Sequence, residues 1–459
     1  MKIKNIHIKN FKCFDDYEID FGENSTVLIG KNGSGKTSLI VALKSAMSFL
    51  FSKYRDKKLK LDILSTTPDL HLDNLKPTDA YYNQETLEPK YPISIHCNAI
   101  TDKFQQTKGS NVLSWELLKN TANGKLLDTK YREAFIAFLK HYNGDRRNAE
   151  IPVLAYFSDS YPHKKIGIRT YAKNELMKIG PLSRSFGYYM WDAESNCSEI
   201  WQNRYISTYS IINDFKNTEK ETFEQRKEIN FIDNRIKQFA QCLRADLPDI
   251  NNEFEVKKIT LRRPIKDETY IQFHFADGRE ILFENLPMGY YRLLSIVFDI
   301  AYRSFIINGD KEPHGIVLID EIELHLHPSL QQEVLERFKK TFPNIQFVVS
   351  SHSPLVISNL KEDGIKDRIL RLENNGLKFT AEEVDNVYGI DYNTNLIRVM
   401  DTHYRPSTVD KLINAYLVLK GKKREVEATG AYNKLKEYLG GSISDLLQQE
   451  IDDRLKAYE

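Results

Sequence analysis

Residues 30–37 read Gly-Lys-Asn-Gly-Ser-Gly-Lys-Thr, a G-x-x-x-x-G-K-[ST] run. Before it, Thr26–Ile29 is a short β-rich segment; after it, Leu39, Ile40, Leu43, Met47 and Leu50 recur at helical spacing. A strand, a glycine loop and a helix in that order commit the chain to an α/β core. The order also has a chemistry. Glycines let backbone N–H groups turn inward onto an anion, and the helix N-terminus adds partial positive charge. The stretch Gly30, Lys31, Asn32, Gly33, Ser34, Gly35, Lys36, Thr37 and Ser38 is therefore expected to cradle a nucleotide. Lys36 would neutralise its β and γ phosphates, and the Thr37 hydroxyl would bind Mg²⁺. The plain alternative is a glycine-rich turn before an ordinary helix.

Composition narrows the class. At 459 residues the chain is long enough for two or three domains. Its 41% hydrophobic and 28% charged residues suit a soluble globular protein. No apolar run approaches the length of a membrane span, and the N-terminus alternates charged and apolar residues without a signal-peptide core. A cytoplasmic protein without a membrane partner is expected. The four cysteines, Cys13, Cys97, Cys197 and Cys242, are far apart and support neither a zinc site nor a disulfide framework. A net charge near +1 argues against a globally basic nucleic-acid binder. The basic run Lys53–Lys60 reads first as a solvated helix face.

Ile3, Ile6 and Ile8, then Tyr17, Ile19 and Phe21, predict two strands around a turn at Lys12–Asp16. Residues 61–91 predict a long loop, Ile93–Ala99 and Ile151–Phe157 buried strands, and Trp115–Tyr142 a helical segment between them. Arg184–Trp201 is aromatic-rich, which suits a packing surface better than base stacking. One or two helices follow within 210–245. Strands are expected at Phe254–Leu261 and Ile271–Phe275, the latter turning at Asp277-Gly278. An apolar helix spans Arg292–Ile306, then come a strand at Ile316–Ile319, a helix at Ser329–Phe342 and a strand at Ile345–Ser350. A hairpin turns at Asn374–Gly376. The last 70 or so residues are polar and helical, with an apolar stripe of Leu412, Ile413, Tyr416, Leu417, Leu435, Tyr438 and Leu439.

Val317-Leu318-Ile319-Asp320-Glu321 is an apolar strand ending in two acids. Cleavage of a phosphoanhydride held by the glycine loop needs one carboxylate at the Mg²⁺ shell and another to orient or deprotonate water. Asp320 is assigned the first role and Glu321 the second. His352, in Ser351-His352-Ser353-Pro354 after the next strand, can donate to the γ-phosphate and report its presence.

Together with an N-terminal Ile-x-Asn-Phe-Lys and the Leu324–Pro328 run Leu-His-Leu-His-Pro, these motifs resemble the SMC-like ABC ATPases, the branch of RecF, OLD nucleases and anti-phage ATPases. Ile151–Tyr156 and Arg184-x-x-Gly187-Tyr188 look like the insertion of PtuA-type ATPases of Septu and some retron defence systems, which act beside a separate HNH nuclease. The resemblance implies an ABC-type head split into residues 1–160 and 253–390, a mainly helical insertion at 161–252, and a helical region for partner or oligomer contacts at 391–459. It implies ATP and Mg²⁺ as ligands, an HNH (PtuB-like) partner, a homodimer or larger homo-oligomer through the heads, and nucleic acid for the complex. No Toprim-type acidic cluster follows His352, so no built-in nuclease is expected. In relatives the helix facing a neighbour's ATP opens with Leu-Ser-x-Gly; here it reads Leu286-Pro287-Met288-Gly289. Proline has neither hydroxyl nor N–H, which leaves Gly289 for that contact and predicts slow hydrolysis. Lys12 matches a basic position near the nucleotide, and Gln84 is the candidate for a glutamine loop. The other readings are a RecF-like repair ATPase and a nucleotide-sensing scaffold with little hydrolysis.

Overall fold

The structure is a computed structural model and describes residues 1–52, 70–83, 85–104, 109–146, 148–162, 170–176, 178, 180–192, 198–214, 222–241, 254–263, 268–361, 363–376, 378–385, 387–402 and 405–456. Lys53–Lys60, Gln84, Cys197 and Cys242 lie outside them. Two compact units divide the chain, Met1–Gly389 and Ile390–Glu459.

Thirteen strands lie in the first unit among the described residues: β1 (Lys2–Phe11), β2 (Phe14–Asp20), β3 (Ser25–Ile29), β4 (Ile93–Ile100), β5 (Val112–Lys119), β6 (Val153–Phe157), β7 (Val256–Arg262), β8 (Tyr270–Phe275), β9 (Glu280–Leu282), β10 (His314–Ile319), β11 (Asn344–Ser350), β12 (Asp367–Asn374) and β13 (Phe379–Glu383). Its helices are α1 (Lys36–Met47), α2 (Arg132–Gly144), α3 (Thr170–Leu176), α4 (Ser198–Asp214), α5 (Phe223–Ala240), α6 (Met288–Asn308), α7 (Pro328–Gln331), α8 (Val334–Thr341) and α9 (Pro354–Ser358).

The central sheet has the order β13-β12-β3-β11-β10-β6. All neighbours in it are parallel except β12 and β13, the pair joined by the Asn374–Gly376 turn. Strands β3 and β6 are buried at every residue, as a parallel sheet covered on both faces requires of its apolar runs. A second, antiparallel sheet, β2-β1-β4-β5, alternates buried and partly buried residues along most of β5 and β4. Gln346 of β11 joins the two sheets. Its buried amide accepts from Ile3 N (2.7 Å) and donates to Ile3 O (2.8 Å) and Gly22 O (2.7 Å), so it costs the core no unpaired group. Strands β7-β8-β9 form a third, small sheet.

The expected helix over Trp115–Tyr142 is a strand and a helix. Leu113, Trp115 and Leu117 are buried in alternation, the period of β5, and Trp115 Nε1 donates to Ala46 O at the end of α1 (2.8 Å). Helical spacing begins only at Ala134, Phe135 and Phe138. The helix expected over Ser329–Phe342 is broken at Gln332–Glu333 into α7 and α8.

Helix α6 is the spine of the unit, with both ends held by arginines. At its C-terminal end the Arg184 guanidinium donates to Ile307 O (2.6 Å) and Ala149 O (2.5 Å), giving the last turn the cationic partner its carbonyls favour. Arg303 pairs with Asp299 and donates to Gly187 O (2.9 Å) and Tyr189 O (3.0 Å). Tyr188 Oη donates to Pro152 O (2.5 Å), which ties the same turn to the start of β6. The aromatic segment is thus interior packing: Phe186, Tyr188, Tyr189, Trp191 and Trp201 are all buried, and none is offered to a base.

The second unit comprises α10 (Tyr392–Arg398), α11 (Ser407–Gly421), α12 (Glu425–Tyr438) and α13 (Asp445–Lys456). Most of the apolar stripe closes on itself. Ile413, Leu417 and Leu435 are core, joined by Val409 and Ile451, and Leu412, Tyr416 and Leu439 pack against them. Tyr438 stays exposed. No described helix is long and apolar enough to cross a membrane.

Candidate active site

Three adjacent parallel strands, β3, β11 and β10, end on one edge of the central sheet. Each delivers one predicted motif there. Residues 30–37 follow β3, Asp320 and Glu321 follow β10, and Ser351–Pro354 follow β11. Ligands of open α/β sheets bind at such carboxyl-end crevices.

The glycine loop has the backbone its residues were chosen for. Gly35 has φ of 95° and precedes α1; a Cβ there would meet the Phe14 ring at 2.9 Å. At Gly30 a Cβ would meet the Leu372 carbonyl at 2.2 Å. Lys31, Asn32, Gly33 and Thr37 are exposed, Ser38 is partly buried, and the buried Ser34 Oγ has no partner among the described residues. Lys36 Nζ donates to Gly30 O (2.7 Å) and Lys31 O (3.0 Å). Burial holds its pKa below the usual lysine value, against the pull of Asp320, Glu321 and Glu323. A phosphate entering the loop would offer that ammonium a charged partner in place of two carbonyls.

The two acids are tied to β11 through Ser350, its last residue. Its hydroxyl donates to Asp320 Oδ1 and accepts from Glu321 N (2.8 Å). Ile322 N donates to Ser350 O (3.1 Å), and Asp320 N to Phe157 O (2.8 Å). Glu321 has a φ of 50°, a strained left-handed backbone conformation at the turn after β10. Its pKa is raised, first by burial and then by the negative charges of Asp320 and Glu323, with His352 opposing. His352 is exposed, and its N–H donates to Glu323 Oε1 (2.5 Å).

Sequence reasoning did not find three of the site's residues. Ser350 was visible only as the first serine of Ser350-Ser351-His352. Glu323 directly precedes the Leu324–Pro328 run and was given no role. Arg292 is fully buried on α6. Its guanidinium donates to Ser158 O (3.3 Å), Asp159 O (3.0 Å), Tyr161 O (2.8 Å), Asp320 O (2.8 Å) and Glu321 O (3.2 Å). It therefore fixes the backbone from which both acids project. The signal was a charged residue among the apolar residues of α6, which also carries Asp299 and Arg303.

Lys12 and Gly289 stand in different surroundings. Lys12 lies 3.4 Å from Asp79 and lines a cavity of about 470 Å³ with Cys13, Phe14, Tyr17, Tyr81 and Phe379. Phe14 and Cys13 also wall the loop at Gly35, so this cavity adjoins the glycine loop. Gly289 is buried, and a Cβ there would meet His325 O at 2.5 Å. Its small size serves packing within the chain; Pro287 and Met288 are what this end of α6 exposes.

Residues 1–357 match the AAA ATPase domain family. The chain is 27% identical over 403 residues to the "Retron Vc95 probable ATPase" of Vibrio cholerae, covering 80% of this chain and 73% of that protein. Over 101 residues it is 41% identical to the Septu protein PtuA of Bacillus mycoides, 22% of this chain and 14% of that one. The SMC head domain from Thermotoga maritima aligns with a TM-score of 0.40 and 13% identity, over 84% of this chain and all of that one. The chain belongs to the AAA ATPase domain family, and its sequence is similar to those of retron ATPases and Septu PtuA proteins.

Proposed function

We propose that this chain is the ATP-binding subunit of an anti-phage complex whose nucleotide state controls a separate HNH nuclease acting on nucleic acid. The observation that carries the ATPase part is the meeting of glycine loop, paired acids and histidine on adjacent strand ends. The aromatic cavity beside the loop suits an adenine ring, with Lys12 at its wall. Thr37 and Asp320 offer the hard oxygens that Mg²⁺ takes and would hold it; bound there, it would neutralise phosphate charge. The residues do the rest. Lys36 turns from its two carbonyls to the phosphates. Glu321, whose pKa is raised, accepts the proton of the attacking water, and the exposed His352 donates to the γ-phosphate.

Two heads facing each other would present Pro287, Met288 and the first turn of α6 to the partner's nucleotide. Pro287 caps α6 without a donor, which favours slow turnover and a sensing role. The retron and Septu relatives support a defence setting. Since the tail's stripe is mostly spent on its own core, a nuclease docking there would meet the exposed Val426, Tyr438 and Leu446 instead. Co-expression with a neighbouring HNH nuclease is the test. Co-purification that is lost with residues 404–459 supports the tail as the docking region; no capture by the full chain contradicts the complex.

A further inference from the structure

The geometry points to Glu323 as a positioning residue for the γ-phosphate response, one that holds the His352 loop on the acidic turn through a single carboxylate–amide bond. This rests on the ATPase reading above. Glu323 lies in the turn after β10, and its Oε1 accepts the His352 N–H at 2.5 Å. Its Oε2 is buried without a partner among the described residues. A carboxylate with no task at such a place would turn to water, because burying an unpaired charged oxygen is costly. It acts electrostatically on Lys36, Arg292 and Glu321, so it belongs to the site rather than to its rim.

The other bonds across this seam do not reach His352 itself. Ser350 binds Asp320, Glu321 and Ile322, and Ser353 Oγ donates to Gln331 Oε1 (2.5 Å). They fix the residues on either side of the histidine. The histidine's own backbone is set by Glu323, so a shift in the acidic turn is passed to the imidazole through that bond. Neutral Gln keeps an oxygen at this place, whereas Ala leaves the N–H unpaired.

The test uses the full chain and titrates it with ATP and with ADP in the presence of Mg²⁺, and the readout is the ratio of the two affinities. His352→Ala is expected to lower that ratio about tenfold, the effect of losing one hydrogen bond to a charged oxygen. Glu323→Ala should lower it by a similar factor, the double variant should lower it no further, and Glu323→Gln should restore it. A purely structural role would change stability, or both affinities together, and leave the ratio alone. A wild-type ratio in Glu323→Ala beside a lowered one in His352→Ala overturns the proposal, as do effects that multiply in the double variant. An unaltered chain that binds neither nucleotide overturns both this proposal and the reading beneath it.

Discussion

Helix α6 carries two fully buried arginines, and they are anchored in opposite ways. Arg303, toward the C-terminal end, is paired with Asp299, which also accepts from Trp201 Nε1 at 2.8 Å. Arg292, one turn into the helix, is bonded to five backbone carbonyls and to no carboxylate among the described residues. Its Nε has no partner there, and burial lowers its pKa. The first arginine is neutralised and serves the join between α6 and the aromatic turn. The second has no carboxylate bonded to it and is balanced only through space, by Glu321, Glu323, Asp159 and Asp320. A buried cation without a bonded counter-ion is expensive to keep, and here it holds the backbone that carries both acids.

The largest effect should come from the neutralised end. Arg303→Ala strands Asp299 in the core and should cost about 3–5 kcal/mol of stability. Denaturant unfolding measures it, and the chain that still folds should bind ATP as before. At the other end, Glu321→Gln should keep ATP binding while slowing turnover about a hundredfold or more, the loss of a general base. Phosphate release under saturating ATP checks this. Arg292→Lys ranks next. One ammonium cannot span five acceptors, so at least one buried carbonyl is left unpaired, at about 1–3 kcal/mol. Turnover should fall with it, because the backbone bearing both acids loosens. If Arg292→Lys costs stability alone, the two arginines do the same job and the contrast fails.

The smallest effect is on pH. Glu321 titrates above its ordinary value of 4.5 in the folded chain. Its contribution to stability is therefore present below the unfolded value and lost as pH rises through the folded one. Glu321→Gln should flatten that part of the stability profile, and wild-type turnover should rise with pH over the same window.

Much of this was legible in sequence for a physical reason. Motifs such as Gly30–Thr37 and Asp320-Glu321 are local, because phosphate binding needs consecutive backbone groups and a strand end needs only its own residues. The glycine-loop end of the molecule could be read that way. What stayed hidden was long-range. Arg292 reaches carbonyls 28 to 134 residues away, and Ser350 finds Asp320 at a separation of 30, through the register of β10 with β11. Nor could periodicity part β5 from α2, since a strand feeding an amphipathic helix blends periods of two and 3.6 in one window. The stripe in the tail showed its spacing but not its surroundings; most of it packs within the tail, while Tyr438 stays exposed.

The central claim is that the loop after β3 holds ATP through Lys36. Isothermal titration of the full chain and of Lys36→Ala with ATP and Mg²⁺ tests it directly. Removing the main side-chain cation while the glycine backbone keeps its shape should abolish measurable binding in the variant and leave it in the wild type. Equal affinity in the two proteins would contradict the account.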